Sequence, residues 1–210
     1  MLTLLGDSIF DNKPYVADHE GLMEIFKIQD IPVQFLAFDG AVINDMERQI
    51  SQINIESVTG IALSVIGNDI LNLFHANNLF SLFLQSNPLG DAEFQRNMDV
   101  AVREITQNLI DTIHCLLKLQ KPLLVFLPYN TLLEQEIPGI NHIITQGKTL
   151  MLDMLTMEFM NELNDINHPV GLTIVDLEDC FQEKHYANPI EPNHLGSKLI
   201  FKIIHQHFFH

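Results

Sequence analysis

The sequence predicts an α/β protein, a three-layer α/β/α arrangement around a five-stranded parallel sheet. Two observations lead there. Five short runs are apolar at every position, and between them lie longer stretches apolar at every third or fourth position. Runs without alternation suit strands buried on both faces. Strands that alternate with helices require crossover connections, which make neighbouring strands parallel and cover both sheet faces.

The first run is Leu2 to Leu5, ending at Gly6, and the second is Val33 to Phe38, ending at Asp39-Gly40. Ile61 to Ile66 is the third and stops at Gly67-Asn68-Asp69. Leu123 to Leu127 precedes Pro128, and Leu172 to Val175 precedes Asp176. Phe94, Met98, Val102, Ile105, Leu109, Ile113 and Leu116 mark the longest helical stripe. Further helical patterns cover 20–28, 44–54, 147–164 and 197–208. No internal repeat, low-complexity tract or linker interrupts them, so residues 1–210 read as a single domain.

Composition bounds the function. The chain has 210 residues, 47% hydrophobic and 18% charged, which excludes a disordered protein. Eleven Lys and Arg stand against 27 Asp and Glu, a net charge of −16. Such a field repels phosphate polymers and anionic lipid, so neither nucleic acid nor a charged membrane surface is an expected partner. No apolar run approaches the ~18 residues of a membrane span. The amino-terminal stretch has no basic region or cleavage site. A cytoplasmic location is expected, with export by a specialised secretion system left open. Cys115 and Cys180 are too few for a disulfide framework, and Cys115 within its helical pattern reads as a small buried hydrophobe.

In a parallel sheet the loops after the strands gather along one edge, where ligands bind. Asp7-Ser8, Gly40, Gly67-Asn68-Asp69, Pro128-Tyr129-Asn130 and Asp176 therefore become neighbours. Neither the dinucleotide fingerprint nor the Walker pattern occurs among them. Alone, Ser8 could simply cap a helix.

The blocks taken together resemble the SGNH (GDSL-type) hydrolase family, in which Ser, Gly, Asn and His come from four separated motifs. Gly6-Asp7-Ser8 matches the first, Gly40 in Phe38-Asp39-Gly40-Ala41 the second and Gly67-Asn68-Asp69 the third. The fourth commonly reads Asp-x-x-His; here it is Glu191-Pro192-Asn193-His194, with a compressed spacer to Gly196. The resemblance spans nearly the whole chain. It implies a flavodoxin-like sheet ordered 2-1-3-4-5 and a serine hydrolase acting on a small-molecule carboxylic ester, without metal or other cofactor.

The chemistry has its own logic. A serine hydroxyl needs a base, and neutral imidazole serves near pH 7. His194 is the expected base, oriented by Glu191 three residues earlier. The amides of Ser8 and Gly40 and the side chain of Asn68 are the expected oxyanion donors, with Asp7 and Asp69 as structural support. His185 is a rival base, and Asp176 and Asp179 are alternative acids. A catalytically impaired family member acting as a binding or interaction module is the main alternative function. A phosphate- or metal-binding regulator built on Asp7 or Asp11 lacks a supporting set of acidic ligands.

The apolar segment 71–84 reads as core packing, with an acyl pocket or lid as the functional alternative. His205, His207 and His210 crowd the carboxyl terminus without convergent ligand geometry. Met151, Met154, Met157 and Met160 recur every third residue and read as a pliable packing surface. Substrate identity and oligomeric state stay open.

Overall fold

The computed structural model describes residues 1–76, 92–135, 140–164 and 171–209. Strands β1 (Leu2–Gly6), β2 (Val33–Phe35), β3 (Gly60–Ser64), β4 (Leu123–Leu127) and β5 (Leu172–Asp176) form one sheet. Every pairing is parallel and the order is β2-β1-β3-β4-β5. The helices are α1 (Leu22–Ile28), α2 (Met46–Ile50), α3 (Gly67–Ala76), α4 (Ala92–Leu117), α5 (Ile140–Asn164) and α6 (His194–Phe209).

The strand pleat sends alternate residues into two separate cores. Leu5, Ile61, Leu63, Leu123, Val125 and Leu127 meet the buried stripe of α4 together with Met46, Met151 and Leu155. Leu2, Leu4, Ala62, Leu124 and Phe126 meet Leu22 and Phe26 of α1 and Ile200 and Ile204 of α6. Each strand residue thus has an apolar neighbour above or below it, the physical reason these runs carry no polar alternation. Phe10 closes the second core edge-on against Phe126, with ring centroids 5.5 Å apart.

β2 is shorter than its apolar run. The Leu36 and Ala37 N–H groups both donate to the Leu4 carbonyl, at 2.9 and 3.1 Å, before Phe38 N–H reaches the Gly6 carbonyl. Two residues facing one is a bulge-like break that ends regular pairing and swings the chain outward toward Gly40. Gly6 permits the close approach of β1 to β3. Its φ is +140°, and a Cβ there would lie 1.8 Å from the Ser64 carbonyl oxygen. The buried Gln49 side chain clamps the same residue, accepting from Gly6 N–H and donating to its carbonyl.

Several expectations are corrected by packing. Cys115 is exposed, because it falls between the buried positions Ile113 and Leu116. The methionines do not share one surface: Met151 is buried, whereas Met157 and Met160 face outward. A three-residue step falls about 60° short of a full helical turn, so the row winds around the helix. Leu71 and Leu73 of the apolar segment lie in α3, while residues 77–84 and His210 lie outside the described residues. Among the described residues no helix is long and apolar enough to cross a membrane, and no group of three potential ligands could hold a metal ion.

Candidate active site at the carboxyl edge of the sheet

Ser8 lies just past β1 and is buried. The turn carrying it is held by Asp7 N–H donating to the Ser64 carbonyl and by Phe10 and Asp11 N–H returning to the Asp7 carbonyl. The Ser8 hydroxyl donates to Glu191 Oε1 at 3.1 Å. Glu191 is itself buried, and its second oxygen, Oε2, has no hydrogen-bond partner among the described residues. Burial pushes the Glu191 carboxyl up to about 7; the Ser8 hydroxyl opposes that rise and the nearby Asp39 carboxylate adds to it.

The expected contact between Ser8 and His194 does not form. His194 opens α6, and its Nδ1 lies 2.8 Å from the Glu20 carbonyl, on the approach to α1. The cause is local. Asn193 Oδ1 accepts from Leu195 and Gly196 N–H, so Asn193 caps the helix and His194 starts its first turn. Glu191, three residues before, falls on the segment that returns to the sheet edge. Three residues before Glu191 stands Asn188, whose Oδ1 accepts from the Ile190 and Glu191 N–H groups at 2.8 and 2.9 Å. The carboxylate therefore occupies the position expected of the imidazole, with a neutral amide at the expected offset of the acid.

His185 does not reach Ser8 either. Its Nδ1 accepts from Gln182 N–H, and its ring packs beside Phe181. Asp176 pairs with Lys148 and accepts from Glu178 N–H. Lys148 is buried between Asp176 and Glu178 and fixes α5 to the end of β5.

The other predicted residues surround the serine. Gly40 sits on the neighbouring loop at φ +81° with no atom near its missing side chain. Among the described residues, neither the Ser8 nor the Gly40 N–H finds an acceptor. Asn68 is the second residue of α3, and its side-chain amide spends one N–H on the Ala41 carbonyl at 3.0 Å. Asp69 receives Ile43 N–H and ties the two loops together. Asp7, almost fully buried beneath Ser8, accepts from Ile9 N–H, and burial pushes its carboxyl up to about 8, with Glu191 and Asp69 adding to the shift. Ile66 holds φ +96°, a strained backbone for a β-branched residue, just before Gly67-Asn68.

Of these groups, Asp7, Ser8, Asn68 and Glu191 form the floor of a cleft that is partly open to solvent. Its walls come from Ile9, from Ile70 and Leu71 of α3, from Ile144 of α5, and from Tyr129 and Ile190. Two further residues contribute: Tyr129, which the strand-end reading places at this edge without a role, and Asn12, to which it gives no part in the site. Tyr129, after β4, donates its hydroxyl to the Ile190 carbonyl at 2.7 Å and so anchors the segment carrying Glu191. Asn12 is wholly buried; it accepts from Leu22 N–H and donates to the Pro192 carbonyl and Ser197 Oγ, locking α1, the Glu191 segment and α6 together. A buried Asn can join three segments only through tertiary structure, so its residue type alone carried no signal.

No protein-family model and no curated protein matches the chain. Solved structures do. A member of the lipolytic G-D-S-L family from Veillonella parvula aligns over 99% of this chain and 97% of its own, at 15% identity and a TM-score of 0.60. Phospholipase A1 from Streptomyces albidoflavus aligns over 98% of each chain at 14% identity and a TM-score of 0.65. A mutant acetylxylan esterase from Geobacillus stearothermophilus aligns over 100% of this chain and 94% of its own, at 12% identity and a TM-score of 0.58. The shared fold is therefore that of the SGNH hydrolases, here built on a five-stranded parallel sheet.

Proposed function

On the SGNH-hydrolase fold that this chain adopts, we propose that it hydrolyses carboxylic esters, with Ser8 as nucleophile and Glu191 as the base. The observation that carries this reading is the Ser8 hydroxyl donating to a buried carboxylate at 3.1 Å, at the ligand-binding edge of the sheet. A base works best when its pKa lies near the working pH. Desolvation brings Glu191 to about 7, where imidazole would ordinarily stand.

In this mechanism Glu191 takes the Ser8 proton as Oγ bonds to the ester carbonyl carbon. The carbonyl π electrons move to oxygen. Ser8 N–H, Gly40 N–H and the second N–H of Asn68 hold that oxyanion, each donor worth roughly 10²–10³ in turnover. Collapse breaks the bond to the alcohol oxygen, which receives the proton from Glu191. Water then attacks the acyl-serine, gives its proton to Glu191, and Ser8 leaves with that proton as the carboxylic acid departs. A carboxylate base needs no orienting acid, because it has no tautomer to fix; Asn188 holds its backbone instead.

Hydrolysis of 4-nitrophenyl butyrate by wild type and Ser8→Ala tests the reading. Turnover in the wild type and its loss in the variant are expected, and equal rates overturn it. Among the described residues no imidazole is hydrogen-bonded to Ser8, which favours a second reading, a binding module on a hydrolase fold. That module would bind an ester without turning it over, in wild type and Ser8→Ala alike.

A further inference from the structure

The geometry points to an uncharged aliphatic acyl group as what the cleft holds beside Ser8, to the exclusion of acyl groups that carry a negative charge. This deepens the ester-hydrolase reading and rests on it.

The floor and the walls differ in kind. Carboxyl groups of Asp7 and Glu191 flank the nucleophile, and Asn68 supplies the one side-chain amide. Above them, Ile9, Ile70, Leu71, Ile144, Ile190 and the ring of Tyr129 present carbon. The two hydroxyls on the wall are already committed: Tyr129 donates to the Ile190 carbonyl, and Thr131 donates to Asn141 Oδ1 at 3.3 Å. No Lys, Arg or His stands among the described residues that line the cleft. Nearby cations are engaged elsewhere, Lys148 with Asp176 and Glu178, and Arg48 with Asp45 and the Phe38 ring.

An acyl tail entering this space gains apolar contact at every methylene. A tail ending in a carboxylate would lose its water against these apolar walls, meet no cationic side chain among the described residues, and share the cleft with the Glu191 carboxylate. The wall thus selects by charge as well as by length.

Rates with 4-nitrophenyl acetate, butyrate and hexanoate, and with mono-4-nitrophenyl adipate, test this, each corrected for spontaneous hydrolysis. From acetate to hexanoate, kcat/KM is expected to rise about fourfold per methylene until the cleft is full. The adipate, matched to hexanoate in chain length, is expected to react at least tenfold more slowly. Leu71→Lys, which places a cation on a half-buried wall position, is expected to narrow that gap. Equal rates for hexanoate and adipate, or a fall in rate from acetate to hexanoate, overturn the inference. Ligand-observed NMR on Ser8→Ala with methyl hexanoate and monomethyl adipate reads the same selection without turnover. Selective binding of the hexanoate with no wild-type hydrolysis overturns the hydrolase reading alone, and equal binding of the two overturns the inference.

Discussion

Ser8 and Glu191, separated by 183 positions in the chain, share a buried hydrogen bond of 3.1 Å, and the second oxygen of that carboxylate, also buried, has no partner among the described residues. Burial of the carboxylate away from water is the physical root of the raised Glu191 pKa. The same arrangement makes the carboxyl a proton acceptor at neutral pH.

Glu191→Gln keeps the shape and removes the base. Turnover is expected to fall by about 10²–10⁴. His194→Ala removes a contact to the Glu20 carbonyl and is expected to leave kcat within about twofold, since one part-buried hydrogen bond contributes ~1 kcal/mol to stability and nothing to the chemistry. Steady-state kinetics of the two variants, each with its folding checked by circular dichroism, decides between them.

The pH profile follows from the base. Because Glu191 must be ionised to accept the Ser8 proton, kcat/KM is expected to rise through about pH 7 and level off above it. In Asp39→Asn the nearby like charge disappears, so the midpoint is expected to move down. A profile already flat from pH 5 upward would contradict the assignment.

Stability should run the opposite way to activity. A folded-state pKa above the unfolded value means that the native protein binds the proton more tightly. The contribution is present below the unfolded value, near 4.5, and is lost as pH rises through about 7. For Glu191 this amounts to about 3 kcal/mol across that window. Thermal unfolding of wild type and Glu191→Gln between pH 5 and 9 is expected to show the variant gaining on the wild type as pH rises.

Asn12→Ala deprives Leu22 N–H, the Pro192 carbonyl and Ser197 Oγ of one buried partner each. A loss of about 3 kcal/mol is expected in urea unfolding, with turnover falling as the Glu191 segment loosens. Gly6→Ala is expected to yield no folded protein, because its Cβ meets the Ser64 carbonyl oxygen.

The sheet was legible because burial on both faces writes itself as runs such as Leu123 to Leu127, and the edge was legible because Gly6, Gly40 and Gly67 mark where strands stop. Its order came from the resemblance. The partner of Ser8 was misread for a reason of physical chemistry. Residue type assigns a pKa near 7 to histidine and near 4 to glutamate, and only burial reverses their suitability. Asn193 was the available signal: an Asn before His-Leu-Gly-Ser is a helix cap, and it commits His194 to α6. Likewise, the double pairing of Leu36 and Ala37 with Leu4 is a tertiary event, so the run Val33 to Phe38 could not announce where β2 ends. Ile66, fully buried, carries no sequence sign of its positive φ.

The most direct test is the rate at which a fluorophosphonate ester modifies Ser8, since that reaction needs the nucleophile and its base but no particular acyl group. Labelling of wild type and His194→Ala at similar rates, with Glu191→Gln slower by two orders of magnitude or more, is the result expected. Labelling of Glu191→Gln at the wild-type rate, or its loss in a folded His194→Ala, would contradict the account.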